Sequence, residues 1–196
     1  MRRKTLDILL TSAGAVVAIV LFVAGGLLTW SHSFINDQVK TQLVAQQIEF
    51  PAAGSDSIND PQVAPYLTKY AGQQVTNGEQ AKAFANHYIA VHIAEMANGK
   101  TYSQLSAESR ANPTDTKLAD TVNTVFKGET LRGMLLNAYA FWKMGQIALY
   151  AAWAAFAGGA VMLLLSLAGA LHGRKVSVET EVFSKLGAHA PVAAGV

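Results

Sequence analysis

Apolar residues gather in two long runs, Ile8 to Trp30 and Gly145 to Leu171, and thin out between and beyond them. Neither run contains an Asp, Glu, Lys or Arg. At about 1.5 Å rise per residue, runs of this length cross a hydrocarbon core of about 30 Å. They predict transmembrane helices over residues 8–30 and 144–171. The basic start Met1-Arg2-Arg3-Lys4 also suits a secretory leader. A leader's apolar stretch usually spans only about 7–15 residues and closes on a small-residue cleavage site. Here the run continues through Gly25-Gly26-Leu27-Leu28 to Trp30 with no such site. An uncleaved anchor is therefore expected.

Insertion reads the basic residues close to the ends of a span. Arg2, Arg3 and Lys4 precede the first run, and Arg174 and Lys175 follow the second. Both termini are thus expected in the cytoplasm, in a multi-pass protein of the plasma membrane. Residues 1–7 form a cytoplasmic N-terminus, 31–143 an extracytoplasmic domain and 172–196 a cytoplasmic tail. That tail ends in Ala, Pro, Gly and Val, and poor order is expected there. Trp30, Tyr139, Trp142 and Lys143 suit an interfacial belt.

Between the spans the pattern is helical. Val39, Leu43, Val44 and Ile48 are spaced for a helix that starts near Asn36 or Asp37, continues from the first span and ends at Phe50-Pro51. Residues 51–65 hold three prolines and several turn formers, which predicts a loop, followed by one helical turn over Tyr66 to Tyr70. Thr76-x-x-Glu79 fits a capping box, and Ala81, Phe84, Ala85, Tyr88, Val91 and His92 share a broad face. This predicts a helix from about Asn77 to Asn98, stopped by Asn98-Gly99. A loop through Asn112-Pro113 and a helix over Asp115 to Phe126 come next. Gly128 is expected to break the chain before a last helix runs from Glu129 into the second span. Phe84, Tyr88, Leu118, Val122 and Phe126 are the expected core. No alternation or internal repeat competes. The fold class is all-α: a two-transmembrane helical hairpin with a helical extracytoplasmic domain inserted between the spans.

Composition sharpens the picture at two points. The 51% hydrophobic content is raised by the spans, and the net charge of +2 comes with basic flanks, so it makes no case for nucleic acid. Cysteine is absent, which removes disulfides, thiolate metal sites and cysteine nucleophiles.

Candidate chemistry is sparse. His87, His92 and Glu95 are the residue types of a two-histidine, one-carboxylate iron site. His92 and Glu95 can share a helical face, but His87 lies five residues before His92, about 140° around a regular helix. Structural histidines are the simpler expectation. No phosphate-binding glycine loop and no G-x-S-x-G occurs. Glu129 and Arg132 read as a solvated pair or a docking point. No catalytic, cofactor-binding or metal-binding residue is assigned.

The spans are more informative. Ala151, Ala155 and Gly159 repeat every four residues, beside Ala154 and Gly158, while Gly14 and Ala18 stand in the same register on the first span. Such strips let helices pack closely in lipid, within a hairpin or against another subunit. No ionisable side chain lies within either span, which argues against an ion path built from this chain alone.

Several runs resemble an actinobacterial family of small two-span membrane proteins. They are Phe50-Pro51, Tyr70-Ala71-Gly72-Gln73-Gln74, Gly99-Lys100-Thr101-Tyr102-Ser103, Gly128-Glu129-Thr130-Leu131-Arg132-Gly133 and Leu136-Asn137-Ala138-Tyr139-Ala140-Phe141-Trp142. The resemblance implies the two-span topology and a plasma-membrane home. Some members carry the label aromatic ring-opening dioxygenase, which the histidine placement here does not support. We therefore favour a non-enzymatic accessory or scaffold subunit. Its surroundings would be the lipid bilayer and a membrane or envelope protein partner, or a second copy of itself. The alternative is a metal-dependent oxygenase using His87, His92 and Glu95.

Overall fold

The computed structural model describes residues 3–175, so the tail over 176–196 lies outside the described residues. All regular structure in the described residues is helical, apart from an isolated antiparallel bridge between Glu49 and Gln74. Helix α1 runs over Arg3–Ala45, α2 over Asp56–Asn59 and α3 over Ala64–Leu67, with a 3-10 turn over Thr68–Tyr70. Helices α4 (Gly78–Phe84) and α5 (Ala90–Met96) are joined by a wide π turn over Ala85–Ile89. Helix α6 spans Tyr102–Ala111 and α7 spans Thr116–Lys175. Two of these, α1 and α7, contain stretches long and apolar enough to cross a membrane.

The chain divides into two compact units. One holds α1 up to Trp30 and α7 from Ala148 onward; the other is Ser31–Ile147. In the first unit α1 and α7 touch along small residues. In the central unit the last turns of α1 and the first half of α7 supply Val39, Leu43, Val125 and Leu135 to a core completed by Phe50, Ile58, Val63, Leu67, Phe84, Ile89, Ile93 and Leu105.

The expected helix through Ile48 stops at Ala45. Gln47 takes a positive φ of 52°, and the chain leaves extended. The residue before a proline avoids the helical region, so Phe50 favours that extended path. It is held there by hydrogen bonds from Phe50 N to Gln73 O (2.8 Å) and from Val75 N to Ile48 O (2.8 Å). The buried Phe50 ring then meets Tyr70 and, edge-on, Phe84. Within the proline-rich loop, burial of Ile58 and Val63 pins the short α2 and its following turn.

Capping of α4 falls one residue later than Thr76 and Glu79 suggest. Asn77 is the cap: its Oδ1 accepts from Gln80 N at 3.0 Å, and Gln80 Oε1 accepts from Thr76 N at 2.8 Å. The logic of two satisfied backbone donors is retained with different residues. Beyond the cap, the π turn changes which residues face inward. Successive four-residue steps overshoot a 3.6-residue turn by about 40° each. One wide turn offsets that drift, so Ala81, Ala85, Ile89, Ile93 and Ala97 all stay buried. Tyr88 and His92 are left only partly covered. Asn98 and Gly99 then take the expected positive φ values of 50° and 74°.

Two expectations near α7 are corrected. Residues 102–111 form α6 where a loop was expected, with Thr101 and Gln104 making the reciprocal capping box. Gly128 does not break the chain. It sits inside α7, where an added Cβ would come within 2.6 Å of the Ile93 side chain, so its role is close approach to α5. The same uninterrupted helix turns Val125 inward at 1% exposure and leaves Phe126 51% exposed, against Tyr102 at 5.5 Å between ring centres. Phe84 is buried as expected, and Tyr88, Leu118 and Val122 pack against the core as partly buried residues.

Truncating a buried leucine typically costs about 2–5 kcal/mol. Leu135→Ala should therefore lower the melting point of the purified protein strongly, while Phe126→Ala should shift it much less. Equal shifts in a thermal melt would contradict this placement of the core.

Candidate interaction surfaces

In the first unit the partner of each glycine identifies the seam. A Cβ on Gly14 would stand 2.5 Å from Ser166 Oγ, one on Gly25 2.7 Å from the Phe156 ring, and one on Gly169 2.6 Å from Thr11 Oγ1. Gly159 faces Ala18 O and Leu21, both at 3.4 Å from such an atom. Rising numbers on α1 meet falling numbers on α7, so these two stretches run antiparallel. With no side chain in the way the backbones approach closely, and dense van der Waals contact follows.

Gly14, Ala18 and Gly159 are buried in this seam, Ala155 is half-buried and Ala151 is exposed. The small residue that is fully covered on that turn is Ala152, at 0% exposure. The reason is periodicity. A row of every fourth residue drifts by about 40° per step, whereas seven residues fall only about 20° short of two turns. Ala152, Gly159, Ser166 and Gly173 are spaced by seven and stay on the contact face. That spacing is visible in the sequence and is the signal that finds Ala152 and Ser166.

Among the described residues of this unit, two polar atoms are buried without a hydrogen-bond partner, Asp7 Oδ2 and Ser166 Oγ. Both residues line one open cavity of about 390 Å³, together with Thr11, Gly14, Gly169 and His172.

In the central unit, His87, His92 and Glu95 do not form a site. His87 stacks flat on Tyr66 with ring centres 3.6 Å apart, and His92 Nδ1 donates to Tyr88 O at 2.8 Å. Among the described residues, no three His, Asp or Glu side chains come close enough together to hold a metal ion. The His87 pKa lies below its ordinary 6.5, first because burial disfavours the charged ring and second because the Lys82 charge repels it. The surrounding cleft, about 340 Å³, is lined also by Lys69, Glu79 and Tyr139, and Lys82 Nζ lies 4.6 Å from the centre of the Tyr139 ring. Glu129 and Arg132 pair at 3.3 Å, and Arg132 also reaches Asn86 Oδ1 at 3.5 Å, tying α7 to the π turn.

A second recess in this unit, about 440 Å³, lies between α1 and α7. Ile35, Val39, Leu135, Ala138, Phe141 and Met144 give it an apolar wall, and Gln38, Gln42 and Gln46 line it too. The two recesses offer stacking, charge and apolar contact, which are the means of binding; no nucleophile paired with a base is found at either. Comparison with protein-family models, with curated proteins and with solved structures finds no match.

Two measurements check these surfaces. Gly14→Val adds bulk where the helices touch, an overpacking typically costing about 1–3 kcal/mol, while Ala151→Leu adds it on an exposed face. In a chain carrying Thr11→Cys and Gly169→Cys, whose β carbons are placed for a disulfide, Gly14→Val should cut intramolecular cross-linking and Ala151→Leu should not. Unchanged cross-linking with Gly14→Val would contradict the seam. The second concerns His87. A histidine with a lowered folded-state pKa adds stability that is full above its unfolded value, 6.5, and is lost as pH falls through the folded one. The melting point should thus fall below pH 6.5 more steeply in the parent than in His87→Phe, which keeps the stack on Tyr66. Parallel pH curves would remove His87 from the account.

Proposed function

We propose that this chain is an integral membrane protein with two antiparallel spans, acting as a non-enzymatic accessory or scaffold subunit that presents a helical extracytoplasmic domain to an envelope partner. The observation that carries the membrane reading is exposure. The most apolar windows of α1 and α7 have mean hydropathies of 2.5 and 2.0, yet only 17% and 11% of their residues are buried. A core helix of a water-soluble protein would be mostly covered by its own chain. Ile8, Leu9, Val20, Leu27, Leu164 and Leu167 all stand more than half exposed, an apolar surface that water disfavours and lipid accepts.

The basic flanks support cytoplasmic termini, and the resemblance to a two-span actinobacterial family agrees with a plasma-membrane home. Support for a scaffold role comes from the central unit. Its histidines are engaged in stacking and backbone hydrogen bonds, and its apolar recess leaves Met134, Phe141 and Met144 at least half exposed, as a partner-binding surface requires.

The cysteine-free chain allows a direct topology test. Ser103→Cys, on exposed α6, should react with a membrane-impermeant thiol reagent on whole cells, and Ser184→Cys should react only after lysis. The reverse pattern would overturn the orientation. Recovery of the chain in the soluble fraction after alkaline extraction would overturn the membrane reading itself.

A further inference from the structure

Beside the Tyr66–His87 stack, the central unit gathers positive charge that the fold does not neutralise. Lys69, from the 3-10 turn, and Lys82, from α4, line the same cleft of about 340 Å³, and Glu79 is the acid in its lining. Each ammonium lies over an aromatic ring instead of a carboxylate. Lys69 Nζ is 4.7 Å from the centre of the Tyr70 ring, and Lys82 Nζ is 4.6 Å from that of Tyr139. Among the described residues neither lysine is ion-paired. His87 adds no charge near neutral pH, because burial and the Lys82 charge hold its pKa down. Lys69 and Lys82 against Glu79 leave the cleft one positive charge in excess.

The place of the cleft on α7 narrows the choice of anion. Tyr139 lines it and lies six residues, about 9 Å, from Gly145, where the second apolar run starts. That is close to the outer edge of a headgroup layer, which occupies about 5–8 Å on each side of the hydrocarbon. Lys143 stands one turn nearer the span and, four residues from Tyr139, shares its side of the helix. It is exposed and makes no ion pair among the described residues. Lys143, and then Lys82 over the Tyr139 ring, thus lead from the start of the span into the cleft. A freely diffusing anion gains nothing from that placement, whereas the phosphate of a lipid is tethered at this level. About 340 Å³ is small for a ligand site, enough for a headgroup with its acyl chains left in the bilayer.

We infer that this cleft binds the phosphate of an anionic lipid headgroup. Lys69 and Lys82 hold the phosphodiester as point charges, and its single negative charge matches the excess in the cleft. The neutral His87 ring supplies a hydrogen-bond donor, and Tyr66, stacked flat on it, supplies an apolar wall. A zwitterionic headgroup would bring its own cation to the lysines and is disfavoured. The inference rests on the membrane-spanning reading proposed above.

The purified full-length chain in a mild neutral detergent tests it, with bound lipid counted by native mass spectrometry. Phosphatidylglycerol should bind at least about tenfold more tightly than phosphatidylcholine of the same chain length, a preference measured on the parent and independent of how any variant folds. Lys69→Gln with Lys82→Gln should weaken phosphatidylglycerol about tenfold. Lys69→Arg with Lys82→Arg should retain it, and Lys117→Gln with Lys127→Gln, which removes the same charge elsewhere, should leave it unchanged. Equal binding of the two lipids by an inserted chain, or undiminished phosphatidylglycerol binding by the Lys69 and Lys82 glutamine variant, would overturn the inference and leave the membrane reading intact. Inorganic phosphate that displaces phosphatidylglycerol at equal concentration would make the ligand a free anion and overturn the headgroup assignment. A chain extracted at alkaline pH would instead remove the membrane reading, and this inference with it.

Discussion

Close approach of two apolar helices at positions without bulk is the contact on which the first unit depends. On the membrane reading proposed above, lipid tails are as apolar as leucine, so the two helices gain little from hiding side chains from their surroundings. What remains is the density of contact between backbones, and that is set by the smallest residue at each crossing. Gly14 against Ser166, Ala18 against Gly159 and Gly169 against Thr11 supply those crossings. Bulk is kept beside them, as where Phe22 and Phe156 lie 6.3 Å apart.

The same two helices pack differently in the central unit. There Val39, Leu43, Val125 and Leu135 are buried with residues such as Phe50, Ile58 and Val63 from between the helices, in a core of mixed large side chains. Small residues persist at tight crossings here too, each admitting a neighbour's side chain: Gly128 receives Ile93, and Gly78 stands against Trp142. One helix can meet both demands because its hydrophobic period is nearly constant while the size of its inward residues changes. In the central unit the inward residues are large and small by turns; in the first unit small residues recur every seven.

Helix content was legible from periodicity and from the Asn98-Gly99 stop, and much of the rest could have been. Residues 102–111 were read as loop because Leu105 alone among them is buried, so no apolar stripe announces α6. Its capping pair, Thr101 and Gln104, was nonetheless in plain view. Gly128 was read through helix propensity, a cost of about 1 kcal/mol that close packing on Ile93 outweighs. Removing that supposed break keeps one phase along α7, and the phase turns Val125 inward and Phe126 outward. The π turn at Ala85–Ile89 is different, since no local residue choice marks it. Only its consequence, burial of Ile89 and Ile93 in place of Tyr88 and His92, reveals it. The row of every fourth residue through Ala151 drifts off the face that meets α1, whereas steps of seven keep to it.

The distribution of satisfied and unsatisfied polar groups bears on function more directly than any motif. In the central unit His92, Asn77, Gln80 and Thr101 each close a local backbone or capping bond, so their chemistry is spent on holding the fold. Three buried polar atoms among the described residues stay without a partner, Arg132 Nε in the central unit and Asp7 Oδ2 and Ser166 Oγ in the first. Ser166 occupies the same seven-residue row as Ala152, Gly159 and Gly173, where an alanine or glycine would pack as well and leave no orphan. Its Oγ faces Gly14 across the seam, 2.5 Å from where a Cβ on that glycine would stand, so the hydroxyl fits there only because position 14 carries no side chain.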